Sequence, residues 1–434
     1  MFDWITPPAA LAGPALTAYV LFDLFLIVVL ARLLGSAMAA VRQPRVVGEI
    51  LAGIMLGPTL LGDNLSQVLV PLQVRPILAA LAALGLILFM FLAGVEFETN
   101  AVRGRVKQAG LLALLSVALP ALLGFPLAQV MHSAAYIGPA GESRLALALL
   151  LGAALSVTAF PIMAHILMER GELNTPLGAL GVATAAIMSV LMFTYIAFAG
   201  AVAAAGGFGG LLITIMLILL FGLLSWFAVR PLLARWLAPA VKSGTVGANH
   251  TALVFAGLVL YGLLAQQIGV NALVGGFVWG LILPPAPELR RALAARVRDV
   301  ALILLLPVFF ALSGFATDLK LLTLETLPIT ALVLLAAIAG KFLGAAPARA
   351  FGLSWNEVGI LGALVNTRGL LVLVAGLIGL ELAIISNLTF TILVVVALVT
   401  NLMTVPLLDL FARRRHPVLR LSEPPQKGYT APKH

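Results

Sequence analysis

Apolar runs long enough to cross the roughly 30 Å hydrocarbon core of a bilayer follow one another along almost the whole chain, and no other feature constrains its fold as tightly. Cut at Pro, Gly and charge clusters, they fall at residues 16–40, 46–62, 76–98, 107–132, 145–170, 176–203, 208–238, 248–268, 270–285, 298–315, 326–352, 356–380 and 386–412. With 62% hydrophobic and only 10% charged residues among 434, the chain lacks the polar atoms to cover a water-facing surface, where about a quarter of residues are normally charged. A soluble globular enzyme is excluded. The expected fold is an all-α polytopic membrane protein of about 13 transmembrane helices, with no stretch left for a large soluble domain. The absence of cysteine excludes disulfides and thiolate chemistry. The first 15 residues hold Asp3 and no Lys or Arg, so no cleavable signal peptide is expected.

Basic residues set the expected orientation, because Lys and Arg resist translocation and collect on the cytoplasmic side. With an odd number of spans the two termini face opposite sides. The tail carries Arg413, Arg414, Arg415, Arg420, Lys427 and Lys433; the loops on its side, from Arg42 and Arg45 to Arg349, bring the total to 20. The opposite loops hold three, Arg75, Arg144 and Lys320. One span more or fewer would mix the two sets. A multi-pass protein of the cell's inner (plasma) membrane is therefore expected, with an external N-terminus and a cytoplasmic C-terminus. A net charge of +9, which in a soluble protein would suggest nucleic acid, is read as topology, and no nucleic-acid partner is expected. The basic segment 413–434, polar and rich in Pro, is expected to be disordered.

Ionisable residues inside the spans are few: Asp23, Arg32, Glu49, Glu96, His165, Lys341 and Arg368. Each is costly in hydrocarbon and raises a functional question. Arg32, Glu49 and Glu96 lie close enough to cytoplasmic boundaries to snorkel. Asp23 is accounted for by a hydrogen bond to a neighbouring helix as well as by any role. Lys341 is different, because about 11 helical residues, or roughly 16 Å, separate it from the cytoplasmic end of its span. It must meet an acceptor, a water-filled cavity or a ligand, or else shed its proton.

Two segments read as broken helices. Ser156-Val157-Thr158-Ala159-Phe160-Pro161 puts two hydroxyls before a proline that removes a backbone donor and disfavours helix at the residue before it. Asn366-Thr367-Arg368-Gly369 places an amide, a hydroxyl, a guanidinium and a glycine in mid-span. Irregular backbone at this depth is tolerated only where protein or a cavity covers it. The two segments occupy corresponding spans in two halves, about 16–203 and 248–412, that flank a linker helix at about 208–238. Paired interruptions of this kind point to a transporter's binding site.

With these residues in view the chain resembles the monovalent cation/proton antiporter-2 family, the Kef-type and bacterial sodium/proton antiporters. The resemblance rests on Gln43-Pro44-Arg45-Val46-Val47-Gly48-Glu49-Ile50-Leu51-Ala52-Gly53 with Leu56-Gly57-Pro58, on Phe91-Leu92-Ala93-Gly94-Val95-Glu96, and on the Ser156 to Pro161 motif. It continues through Gly275-Gly276-Phe277 with Leu283-Pro284, Pro307-Val308-Phe309-Phe310 with Thr317-Asp318-Leu319, and Asn366 to Gly369. It implies two inverted repeats with crossed discontinuous helices within a membrane domain ending at about 412, a scaffold that forms a homodimer, and elevator-like alternating access. It also implies that Lys341 stands where such antiporters keep a lysine paired with an aspartate.

The resemblance further implies an Asp-Asp or Asn-Asp pair in the sixth span, where this chain reads Ala185-Ala186-Ile187-Met188-Ser189-Val190. A second acid expected after Asn366-Thr367-Arg368-Gly369 is Val372, and a basic residue expected after Phe160-Pro161 is His165. The usual anionic ligands of a bare cation are thus missing. The candidate substrate or ion site comprises Ser156, Thr158, Met188, Ser189, Lys341, Asn366, Thr367 and Arg368, with Lys341 and His165 as candidate proton carriers. Four functions stay open. The chain is a cation/proton antiporter whose proton rides on another group, or a transporter of an organic or anionic solute in a cavity made cationic by Lys341 and Arg368. It is otherwise a membrane-embedded enzyme using Lys341 on a lipophilic substrate, or a transport-inactive subunit. No cofactor or metal is expected; the expected partners are membrane lipid, protons and a cation or small organic solute.

Overall fold

The structure is a computed structural model that describes residues 13–41, 43–96, 106–139, 143–159, 163, 166–167, 170, 172, 175–204, 208–243, 245–268 and 272–413. Every expected span has a helical counterpart. Among the described residues eight helices are long and apolar enough to cross a membrane, nine when a pair bent by 61° counts as one. The remaining spans correspond to shorter apolar helices, among them Arg144–Ser156, Ala272–Leu281 and Trp355–Val365.

The first half of the chain folds as α1 (Gly13–Ala40), α2 (Arg45–Leu56), α3 (Pro58–Leu69), α4 (Arg75–Glu96), α5 (Val106–Val130), α6 (Arg144–Ser156) and α7 (Pro176–Ala204). α8 (Phe208–Leu224) and α9 (Arg230–Ser243) run on through a π turn at Ser225–Val229 as the linker. The second half comprises α10 (Ala248–Gln267), α11 (Ala272–Leu281), α12 (Pro287–Asp299), α13 (Leu306–Phe315), α14 (Leu327–Ala345), α15 (Trp355–Val365), α16 (Leu370–Glu381) and α17 (Asn387–Arg413). Two expectations are adjusted. The span expected at 46–62 ends at Leu56, because Gly57 is extended and Pro58 opens α3 in a new direction. The basic stretch from Arg290 to Arg298 is helical rather than a loop: α12 buries Leu289, Leu293, Ala294 and Val297 on one face, and its arginines occupy the others.

The helices sort into two bundles. In one, α1, α2, α4, α10, α11 and α13 pack together; in the other, α5, α6, α7 and α14 to α17 do. Within the first bundle, glycines set the spacing. A Cβ on Gly53 of α2 would lie 2.0 Å from the Ala311 carbonyl oxygen of α13, and one on Gly314 would lie 2.2 Å from the Ile50 carbonyl oxygen of α2. The same reciprocal contact joins α4 and α11, where Gly94 faces the Phe277 carbonyl and Gly280 the Phe91 carbonyl, each at 2.3 Å from the built Cβ. Without a side chain at these points the backbones touch, and small-residue packing of this kind replaces the hydrophobic drive that lipid cannot supply. The linker is the opposite case: only 6% of the apolar window in Ile215–Lys242 is buried.

Candidate functional site

α6 and α15 enter the second bundle and both stop inside it. α6 ends at Ser156, after which Val157 is extended (φ −57°, ψ 142°). α15 ends at Val365, and the chain passes through Asn366, Thr367, Arg368 and Gly369 before α16 begins. The two broken stretches satisfy each other's backbone. The Ala159 amide donates to the Thr367 carbonyl at 2.8 Å, and the Thr158 hydroxyl donates to the Val365 carbonyl at 2.6 Å. The helices therefore cross at their breaks, as expected. The expected break at Phe160-Pro161 and the candidate proton carrier His165 lie outside the described residues.

Lys341 projects from α14 onto this crossing with no solvent exposure. Its ammonium donates to the Ser116 carbonyl of α5 at 3.2 Å, to the Thr158 hydroxyl at 2.9 Å, and to the Ser156 carbonyl. All three partners are uncharged oxygens. Ser156 and Val365 are the last residues of their helices, where exposed carbonyls carry roughly half a negative charge each. Two such ends meeting beside one ammonium explain how a buried lysine is held without a carboxylate. The Ser156 hydroxyl is used locally, donating to the carbonyls of Val117 and Gly152.

Arg368, equally buried, ties the second break to both neighbours. Its Nη1 donates to the Ala154 carbonyl of α6 at 2.8 Å, its Nη2 to the Ala337 carbonyl of α14 at 2.9 Å, and its backbone N–H to Asn401 Oδ1 of α17 at 3.1 Å. Thr367 sits 3.4 Å from the Thr404 hydroxyl, and Asn366 Nδ2 donates to Met403 Sδ at 3.8 Å. Asn366 Oδ1, Arg368 Nε and Ser116 Oγ are buried with no hydrogen-bond partner among the described residues.

The structure thus brings Ser156, Thr158, Lys341, Asn366, Thr367 and Arg368 into one place. Met188 is fully buried in the apolar cluster that also holds Val157 and Val365. Ser189 turns its hydroxyl back to the Ala185 carbonyl of its own helix at 2.9 Å, and neither residue hydrogen-bonds Lys341. Sequence reasoning missed the carbonyls of Ser116, Ala154 and Ala337, which carry no side-chain signal. It also missed Asn401, whose amide inside an apolar span was a visible one. Thr158→Val keeps the shape but removes a hydroxyl that donates to Val365 and accepts from Lys341. It is expected to lower the stability of the purified protein by about 2 kcal/mol, read from denaturant unfolding.

Comparison with known proteins gives consistent findings. The profile of the family described as sodium/hydrogen exchanger, transmembrane, matches residues 25–410. The Na(+)/H(+) antiporter NhaS4 of Synechocystis is 37% identical over 394 residues, covering 89% of this chain and 96% of that protein. The Cation/H(+) antiporter 20 of Arabidopsis thaliana is 34% identical and 88% of this chain is aligned, which spans 47% of that longer protein. Among solved structures, the sodium proton antiporter MjNhaP1 of Methanocaldococcus jannaschii has the same fold, with a TM-score of 0.64 over 92% of this chain and 99% of that one, at 17% identity. These findings correct the antiporter-2, Kef-type assignment: the matching profile is the sodium/hydrogen exchanger one and the matching fold is of the NhaP type. Several of the motifs that suggested the Kef branch fall on the broken helices at Ser156 and Asn366 and on the tight glycine contacts at Gly53 and Gly94.

Proposed function

The chain belongs to the sodium/hydrogen exchanger family, a family of transporters rather than enzymes, and we propose that it exchanges a monovalent cation for protons through a site built on Lys341. One observation carries this reading: the Lys341 ammonium occupies a seat of three uncharged oxygens at the meeting point of two helix C-termini. Such a seat attracts a positive charge and repels a negative one, since helix C-termini and unwound carbonyls are cation ligands in membrane transporters. The geometry therefore favours a cation over an anionic solute, and the missing carboxylates at Met188 and Ser189 are replaced by main-chain oxygen. In the cycle, Lys341 gives up a proton to water reaching the crossing, and its neutral amine vacates the seat for an incoming cation. Thr158, Ser156 and the Ser116 carbonyl then take over the cation. Arg368 stays protonated and holds α6, α14 and α16 in register. We extend the proposal to a homodimer in the plasma membrane, with an external N-terminus and the basic 413–434 segment in the cytoplasm.

Dequenching of a pH-gradient probe in proteoliposomes tests it, scanned over Na+, K+, Li+ and no added cation. Saturable dequenching with at least one alkali cation is expected, and none without. Equal responses in all four conditions would remove the cation reading.

A further inference from the structure

Asp23 is a fully buried acid, 0% exposed, within a membrane-spanning helix. It sits on α1 about 15 Å from Gly13 and about 25 Å from Ala40 at the helical rise of 1.5 Å per residue, too deep for so short a side chain to reach either end. Its place inside a span led the sequence reading to allow for a hydrogen bond to a neighbouring helix as readily as for a role. The structure corrects that: among the described residues neither carboxyl oxygen has a partner. α1 packs on α2, α13 and α4. α2 carries Arg45 and Glu49 in its first turns, α13 carries no charged or titratable residue, and α4 carries Arg75 as its first residue and Glu96 as its last. α1 itself adds Tyr19 and Arg32. No donor among the described residues reaches either Asp23 oxygen.

An ionised carboxylate stranded in this way is the most costly form of buried charge. A neutral carboxyl is tolerated, yet it leaves its own O–H and C=O unmet and so fastens α1 to nothing. A residue that weakens the fold and holds no neighbour is accounted for by what it binds, and the one ligand that makes a partnerless carboxyl tolerable here is a proton. We propose that Asp23 is a second proton-binding site, placed in the first bundle and separate from the Lys341 crossing. It is loaded in the conformation described, and it releases its proton when α1 shifts against α2 and α13 far enough to admit water. Its effect on transport rests on the antiport reading; its proton occupancy does not.

Two measurements test the site. Dicyclohexylcarbodiimide, a membrane-soluble reagent, adds to protonated carboxyls and leaves a stable acylurea. Mass spectrometry of the labelled native protein is expected to place an adduct on Asp23 at neutral pH. Labelling should fall by about tenfold per pH unit once the carboxyl ionises, because only its protonated form reacts. Asp23→Asn fixes the neutral form without changing its shape. It should fold with native stability, lose the adduct, and show at alkaline pH the low cation-driven flux that is expected of the native protein at acid pH, where the site stays loaded. No adduct on Asp23 at any pH, or Asp23→Asn and native pH profiles that superimpose, would overturn the proposal. Absence of cation-driven flux from the native protein would count against the antiport reading alone, since labelling needs no transport.

Discussion

Lys341→Ala is expected to abolish cation-dependent proton flux and to lower the stability of the purified protein by roughly 3–5 kcal/mol. The stability loss has two sources. The truncated side chain leaves a cavity in a region with no solvent exposure. It also strands the Ser116 carbonyl, the Ser156 carbonyl and one lone pair of the Thr158 hydroxyl, each a buried acceptor that has lost its donor. The transport loss has a different cause, and Lys341→Arg separates the two. Arginine keeps the positive charge and the donors, so this variant should retain more stability than the alanine one. Its guanidinium stays protonated at any accessible pH and has a planar shape where a tetrahedral ammonium fits. It should therefore be as inactive as alanine. Denaturant unfolding and proteoliposome dequenching read the two effects independently, and native-like flux from either variant would sink the role of Lys341 as proton carrier.

Gly53→Ala should destabilise the protein by more than about 3 kcal/mol, although it adds a single carbon atom. The new Cβ would meet the Ala311 carbonyl oxygen at 2.0 Å, with the Ala311 carbonyl carbon and Cα close behind. No flexible side chain stands there to yield, so α2 and α13 must separate along the contact that Gly314 makes in return. Gly110→Ala is the control. It lies within α5 with nothing within 4 Å of a built Cβ, and there alanine should be neutral or stabilise by up to about 1 kcal/mol through helix propensity. Equal unfolding midpoints for the two variants would show that the glycine contacts do not hold the first bundle together.

The span pattern was legible because a bilayer reads composition, and a run such as Leu327–Ala345 has no alternative to helix in lipid. The crossing was legible for a related reason. Ser156, Thr158, Asn366 and Arg368 are polar groups that an apolar span must hide, and hiding them required the two breaks to meet. What could not be read was the nature of Lys341's partners. Side chains leave a trace in sequence and carbonyl groups do not, so the absence of carboxylates at Met188 and Ser189 looked like the loss of a site. The Lys341 ammonium rests instead on main-chain oxygens of Ser116 and Ser156. Arg290 shows the same limit. Among the basic loop residues it signals only topology, and its guanidinium also donates to the carbonyls of Val95, Leu281, Leu283 and Pro284 and ties the ends of α4 and α11 together. The turn from α2 into α3 at Gly57-Pro58 had a visible signal, passed over because the apolar run continues through it.

The linker Ile215–Lys242 is 28 residues long, about 42 Å at the helical rise, yet it leans on little protein. The helix as a whole is longer than a typical hydrocarbon core of roughly 30 Å, with Arg230, Arg235 and Lys242 in its second half, and neighbouring helices do little to fix its angle, so the surrounding lipid tails decide how steeply it lies. A thinner bilayer lays it flatter and draws its two ends apart in the membrane plane; a thicker one stands it up and brings them closer. Acyl-chain length thereby becomes a mechanical input to the spacing between the halves of the chain, one that detergent removes.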